Sequence, residues 1–337
     1  MIHINIGDIM KRVAFFDVKE YEQEIFNKYN DKFTLDYYDV RLDKTTAILA
    51  KDADAVCVFV NDIVDKDCID ILVSYNIELI ALRCAGYSNV DFKYAYNKMK
   101  IVRVPVYSPF SISEHAMALL LSLNRKVHKA YIRTRDLNFS LNGLIGFDLK
   151  DKTVGVIGTG NIGKVFIDIC NGFKMNVIAY DPFPLKDTDI NYVELNTLFR
   201  ESDVISLHCP LNKDTYHIIN EEAIKLMKSK VIIINTSRGA LIDSKALLNA
   251  LNKRMIGGAG LDVYEEEGDI FFEDYSLTVI DDDILSSLLS KPNVLITSHQ
   301  GFLTNEALNT IAKVTLGNIE SYFNNDVLHN EINYEVK

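Results

Sequence analysis

Short runs of aliphatic, β-branched and aromatic residues alternate with helical patterns along this chain, and that alternation constrains the fold more than any single residue does. A first set contains Val13 to Phe16, Phe33 to Leu35, Ala55 to Val60, Leu79 to Leu82 and Ile101 to Val104. A second contains Thr153 to Ile157, Asn176 to Tyr180, Asp203 to Leu207, Val231 to Asn235, Gly260 to Val263 and Val294 to Thr297. The runs of the second set are nearly unbroken in apolar residues, as strands covered on both faces must be. The pattern predicts an α/β chain with two doubly wound parallel sheets. The length of 337 residues agrees, because it exceeds what one hydrophobic core readily supports.

Between the two sets lies Pro105-Val106-Tyr107-Ser108-Pro109-Phe110, whose prolines favour extended backbone and suit a hinge. A long helix is expected next, with Ser111 as N-cap and Glu114 completing a capping box, and with Ala116, Leu119, Leu120, Leu123 and Val127 on one face. Another helical pattern starts near Thr304 and runs past Tyr322. If it crosses back, residues 1–106 and 304–337 form a discontinuous outer domain and residues 107–303 a continuous inner one, with a cleft between them. Residues 1–9 read as a short extension. No internal repeat or low-complexity stretch is present, although Glu265 to Asp283 is rich in acidic and aromatic residues.

The formal net charge of −11, without any run of Lys and Arg, argues against nucleic acid and against an anionic membrane surface as partners. The five cysteines are odd in number and widely spaced, with no CxxC pair and no zinc-like spacing, which suits buried reduced thiols in a cytoplasmic protein. No apolar run approaches the length of a membrane span.

The strand from Thr153 to Ile157 runs directly into Gly158-Thr159-Gly160-Asn161-Ile162-Gly163, and a helical pattern follows through Cys170. A glycine hexamer alone is a weak signal; between strand and helix it is a dinucleotide fingerprint. The first glycine allows the tight turn, the second lets backbone approach a pyrophosphate, and the third lets helix pack on strand. Asp181, about 20 residues on at the end of the next strand, can hydrogen-bond an adenosine ribose and would repel a 2′-phosphate, which favours NAD over NADP.

Three ionisable residues fall where strands of the second set end, the edge at which doubly wound sheets bind ligands: Arg238, Glu267 and His299. Singly they read as a surface arginine, a solvated acid and a satisfied histidine. Together they match the needs of hydride transfer to a 2-oxo acid. A guanidinium fork can hold the carboxylate and polarise the carbonyl. A histidine can protonate the nascent alkoxide, and a carboxylate partner can hold its imidazolium form. The nicotinamide brings the hydride, so this chemistry calls for no protein nucleophile and no metal. His115, on the capped helix, reads as structural.

The chain resembles the D-2-hydroxyacid dehydrogenases over nearly its whole length. The resemblance rests on Val156 to Gly163, Asn235-Thr236-Ser237-Arg238-Gly239-Ala240, Gly260 to Glu267, and Ser298-His299. Within that family, Tyr107-Ser108-Pro109, Gly268 to Asp274, and His299 to Thr304 are most similar to the fermentative bacterial D-lactate dehydrogenases. The resemblance implies a flavodoxin-like substrate domain beside a Rossmann NAD domain, and reduction of pyruvate to D-lactate with Arg238, Glu267 and His299 as the catalytic set. It further implies substrate contacts from the backbone of Ala85 and Gly86, from Tyr107 and from Phe302. Cofactor contacts would come from His208, Cys209, Pro210, Asn212, Thr236, Ser237 and Asp262, and the assembly would be a homodimer or homotetramer. A dehydrogenase for a larger 2-oxo acid and a dinucleotide-sensing corepressor are the alternatives that this fold also serves.

Overall fold

The computed structural model describes residues 10–332, so the expected N-terminal extension lies outside the described residues. The described chain divides into two units, one running to Ser108 and resuming at Thr304, the other spanning Pro109–Leu303.

The first unit is built on β1 (Lys11–Phe15), β2 (Phe33–Tyr37), β3 (Ala55–Val58), β4 (Leu79–Leu82) and β5 (Lys100–Arg103), in the order β2-β1-β3-β4-β5. Every neighbour is parallel. All residues of β3 and β4 are buried, which is why both read as unbroken apolar runs. The helix Asn305–Phe323 starts where Thr304 accepts a hydrogen bond from the Ala307 N–H, as a threonine N-cap should. Its Asn318 side chain donates to the Arg103 carbonyl at 2.9 Å, tying this late helix to the end of β5.

The second unit contains β6 (Thr153–Ile157), β7 (Asn176–Tyr180), β8 (Val204–Leu207), β9 (Ile232–Asn235), β10 (Gly258–Leu261) and β11 (Val294–Ile296), ordered β11-β10-β9-β8-β6-β7 and all parallel. A single parallel bridge between Ala179 and Tyr192 extends the sheet beyond β7, an element too short to show in sequence. The chain order reverses beside β6, so the carboxyl ends of β6 and β8 flank the crevice where such sheets take ligands. Successive residues face opposite cores: Ile232 and Ile234 pack with Leu120, Val154 and Phe166, whereas Ile233 packs with Leu207, Leu241 and Leu247. Each such fully buried side chain contributes roughly 1.5–3 kcal/mol.

Several element ends differ from those expected by one or two residues, and the long helix stops at Arg125, which leaves Val127 off its face and exposed; two of the starts have a packing reason. The strand read as Gly260 to Val263 begins two residues earlier, at Gly258. Its glycines accommodate close neighbours: a Cβ on Gly258 would lie 2.5 Å from the Asn293 carbonyl oxygen, and one on Gly260 would lie 2.8 Å from Ile234 Cδ1. The helix Pro109–Arg125 likewise begins before the expected N-cap, with Ser111 buried inside its first turn. Proline fits the first helical position because its missing N–H would have had no partner there.

Candidate active site

β6 delivers the chain into Gly158–Gly163, and the helix Asn161–Gly172 starts inside that stretch. Gly158 has φ +94°, and a Cβ on it would meet the Cys209 backbone nitrogen at 2.6 Å. A Cβ on Gly163 would lie 2.0 Å from the Gly158 carbonyl oxygen. Gly160, the N-cap, faces open space, so the first N–H groups of the helix remain available to an anion. Asp181 accepts from the Thr159 N–H at 2.8 Å and hydroxyl at 3.0 Å through one oxygen, and from the Phe183 N–H at 2.9 Å through the other. The Tyr192 hydroxyl donates to Thr159 Oγ1 at 2.9 Å, a support that sequence spacing does not reveal.

The adjoining loop forms after β8. The His208 N–H bonds the Ile157 carbonyl at 2.8 Å, while its ring is buried against Phe166 and lies 2.8 Å from Ser206 Oγ. Burial pushes that imidazole down to about 3, so His208 is neutral. Burial also raises the Cys209 thiol to about 12, well away from a reactive thiolate. The Ser237 hydroxyl donates to the Cys209 carbonyl at 2.7 Å, and Asn212 Oδ1 accepts from the Asp214 and Thr215 N–H groups, which shapes the turn after Pro210. Among the described residues Thr236 Oγ1 is buried without a hydrogen-bond partner.

Arg238, Glu267 and His299 follow β9, β10 and β11, three adjacent strands. His299 Nδ1 lies 2.8 Å from Glu267 Oε1, and the other carboxylate oxygen accepts from the Tyr264 N–H at 2.7 Å, so the acid is fixed at both ends. Among the described residues His299 Nε2 has no hydrogen-bond partner. The Arg238 guanidinium donates to the Ser237 carbonyl at 2.7 Å and pairs with no carboxylate among the described residues, which leaves donors for an external anion. The fold therefore joins two of the expected residues directly and places the third along the same sheet edge.

Asp262, at the end of β10, is 1% exposed. Its carboxylate accepts from Thr297 Oγ1 at 2.5 Å, the Gln300 N–H at 2.9 Å and the Gly301 N–H at 2.7 Å. His115 Nε2 lies 3.1 Å from the same carboxylate. Burial pulls Asp262 upward, but these donors outweigh it and hold the carboxyl below its ordinary value. The sequence reading missed His115 as a member of this cluster; the one signal available was its position beside buried Ala116 at the edge of the helix's apolar face.

Two of the residues expected to hold substrate, Ala85 and Gly86, sit in the loop after β4. The Ala85 carbonyl accepts from Arg103 Nη1 at 2.8 Å, and the same guanidinium lies over the Tyr87 ring. Tyr107 is half-buried in that unit, whereas Phe302 is buried in the second.

Residues 117–301 match the family model described as D-isomer specific 2-hydroxyacid dehydrogenase, NAD binding domain. The chain belongs to this family. It is 46% identical over 327 residues to the D-lactate dehydrogenase of Escherichia coli strain K12, covering 95% of this chain and 99% of the relative. It is 48% identical over 314 residues to a 2-hydroxyacid dehydrogenase homolog of Haemophilus influenzae, covering 91% and 95%. Among solved structures, the apo form of the E. coli D-lactate dehydrogenase superposes with a TM-score of 0.88 at 44% identity, covering 96% of this chain and 100% of that one. The Lactobacillus jensenii D-lactate dehydrogenase with NAD+ gives 0.80 at 29% identity, with the same coverage.

As a member of the D-isomer specific 2-hydroxyacid dehydrogenases the protein is an NAD-dependent oxidoreductase, and its own residues fit that cofactor. The open Gly160 cap suits a pyrophosphate, the Asp181 carboxylate at the end of β7 is of a chemistry that would suit a ribose hydroxyl, and among the described residues the Thr236 hydroxyl is buried without a partner. Among the described residues no helix is long and apolar enough to cross a membrane, and no cluster of three or more His, Cys, Asp or Glu side chains could hold a metal ion.

Proposed function

We propose that the protein is a D-lactate dehydrogenase that reduces pyruvate reversibly with NADH. The observation carrying this reading is the His299–Glu267 pair: Nδ1 is engaged at 2.8 Å, and the opposite nitrogen is left for a proton transfer. Bound NADH supplies the hydride. Arg238 holds the 2-oxo acid through its carboxylate and carbonyl oxygens, and its fork fits that planar anion better than an ammonium would. His299 gives its Nε2 proton to the forming alkoxide and takes it back in the reverse direction, while Glu267 stabilises the imidazolium. Thr159, Asn161, Ile162, Asp181, the 208–212 loop, Thr236, Ser237 and Asp262 surround the dinucleotide in this reading.

The unit containing β1 to β5 acts as the substrate domain, with Ala85 and Gly86 N–H groups and Tyr107 meeting the substrate and Phe302 limiting the methyl end. The small substrate and the D configuration draw support from the relatives named D-lactate dehydrogenase. The enzyme works in the cytoplasm as a homodimer or homotetramer. The exposed apolar side chains Val127, Tyr131, Ile132, Phe139, Leu141 and Ile145 support self-association, since monomers rarely leave such a stretch uncovered. NADH oxidation with pyruvate followed by chiral analysis of the product tests the reading. D-lactate is expected; L-lactate, or a much higher kcat/KM for a bulky 2-oxo acid, would overturn it.

A further inference from the structure

The segment that carries His299 is an unusual piece of backbone. His299 has φ +53°, in the left-handed region that L side chains disfavour. Such a conformation persists only where its surroundings over-determine it. Here the determinants converge on Asp262. Its backbone carbonyl accepts the His299 N–H at 2.7 Å, and its carboxylate takes the Thr297 hydroxyl and the Gln300 and Gly301 N–H groups. All of those donors belong to the turn itself.

The remaining contact comes from outside it. His115, on the helix Pro109–Arg125, places Nε2 3.0 Å from Thr297 Oγ1 and 3.1 Å from Asp262 Oδ1. The Thr297 hydroxyl has a single proton, and its 2.5 Å contact with Asp262 uses it. Toward His115 the same oxygen can only accept. Nε2 of His115 must therefore carry a proton, which it donates to Thr297 while lying 3.1 Å from the buried Asp262 carboxylate.

We propose that His115 is a positioning residue for proton transfer: through Asp262 and Thr297 it locks the Thr297–Gly301 turn to the Pro109–Arg125 helix and thereby aims His299. The inference rests on the reading of His299 as the proton donor. Among the described residues His115 makes no hydrogen bond or ion pair with that ring or with Glu267. Its effect on rate is through orientation, where an error of about 1 Å can cost on the order of a hundredfold.

Replacement of His115 by Leu removes the donor and should lower kcat by roughly tenfold to a hundredfold, leaving NADH affinity by fluorescence titration and the KM for pyruvate within about a factor of two or three. His115→Gln can present an amide N–H near the position of Nε2, and should recover most of the lost kcat. Thr297→Val, which keeps shape and deletes the bridging hydroxyl, should reproduce the kcat loss even if His115→Leu folds poorly. The double variant should lose less than the two single losses combined, since both act through one cluster.

A full kcat in folded His115→Leu, or an equal loss in Gln and Leu variants with matching drops in Tm, would overturn the proposal by reducing His115 to core packing. His299→Gln is measured alongside. If it retains full turnover, the proton-donor reading has failed; if it is inactive while His115→Leu and Thr297→Val are not, only the positioning role has failed.

Discussion

Each of the two sheets ends one of its strands on a buried charge, and the two charges have opposite signs. In the second unit it is Asp262, after β10, surrounded by hydroxyl, backbone and imidazole donors that mostly belong to one nearby turn. In the first it is Arg83, after β4 and fully buried, donating to Glu22 Oε1 at 2.9 Å and to the Asp17 carbonyl at 2.7 Å, with Phe59 beneath the guanidinium. Glu22 lies 61 residues earlier in the chain, on the helix Glu20–Tyr29. The anion shapes a loop beside the chemistry, whereas the cation binds a helix to a sheet. Satisfaction differs as well. Among the described residues Arg83 Nη1 is buried without a hydrogen-bond partner, and burial lifts nearby Asp62 to about 7 even though Arg83 pulls it down. The loop-shaping charge is saturated by uncharged neighbours, and the fold-holding charge sits in an ionic cluster.

The contrast is broken most directly by separating turnover from stability. His299→Gln in the second unit should lower kcat about a hundredfold to ten-thousandfold while the urea midpoint and NADH binding stay near those of the parent. Arg83→Met should do the reverse in kind, costing about 3–5 kcal/mol of stability in urea unfolding because Glu22 is left buried and unpaired. If Arg83→Met is as stable as the parent, the cation does not hold the fold and the distinction between the units collapses.

Asp262→Asn is a milder perturbation: it keeps shape but turns two donors of the amide toward existing donors, and should cost about 1–3 kcal/mol. Hydrogen exchange would show where that loss falls. Faster exchange confined to Gln300 and Gly301 is expected, and uniform acceleration through β6 to β9 would contradict a loop-shaping role.

The smallest effects concern pH. His208 has a folded value of about 3 against an ordinary 6.5, so below 6.5 the unfolded chain binds a proton that the folded chain refuses. Its contribution to stability is complete above 6.5 and is lost as pH falls toward 3. Asp62 runs oppositely: its value is raised from 3.8 to about 7, so its contribution is complete below 3.8 and is lost as pH rises through 7. Urea midpoints measured across this range should fall less steeply on acidification in His208→Gln than in the parent, and Asp62→Asn should remove the opposing slope. Parallel pH profiles for the parent and both variants would show that neither group controls stability.

Local patterns carried most of the architecture. The strand runs, the glycine hexamer with Asp181, and the helical pattern starting near Thr304 are statements about neighbours in sequence, and geometry follows from such neighbours with little help. That Arg238, Glu267 and His299 lie beyond the ends of adjacent strands was also legible, because parallel α/β topology sends strand ends to one edge. Two element starts were not. Gly258 resembles a strand breaker until the atoms packed against it are known, and Ser111 resembles a cap until Pro109 is seen to take the first helical position.

What the tertiary structure alone decided is which side chains from distant elements share a bond. His115 meets Thr297 across 182 residues, Tyr192 supports Thr159 from a one-residue bridge, and Arg83 finds Glu22 rather than solvent. Sequence periodicity specifies a face of a helix or strand, but not the partner against which that face is packed. A buried histidine, tyrosine or arginine acquires its role only when the fold closes around it, because burial removes water as the alternative partner and leaves each donor with the few acceptors the packing supplies.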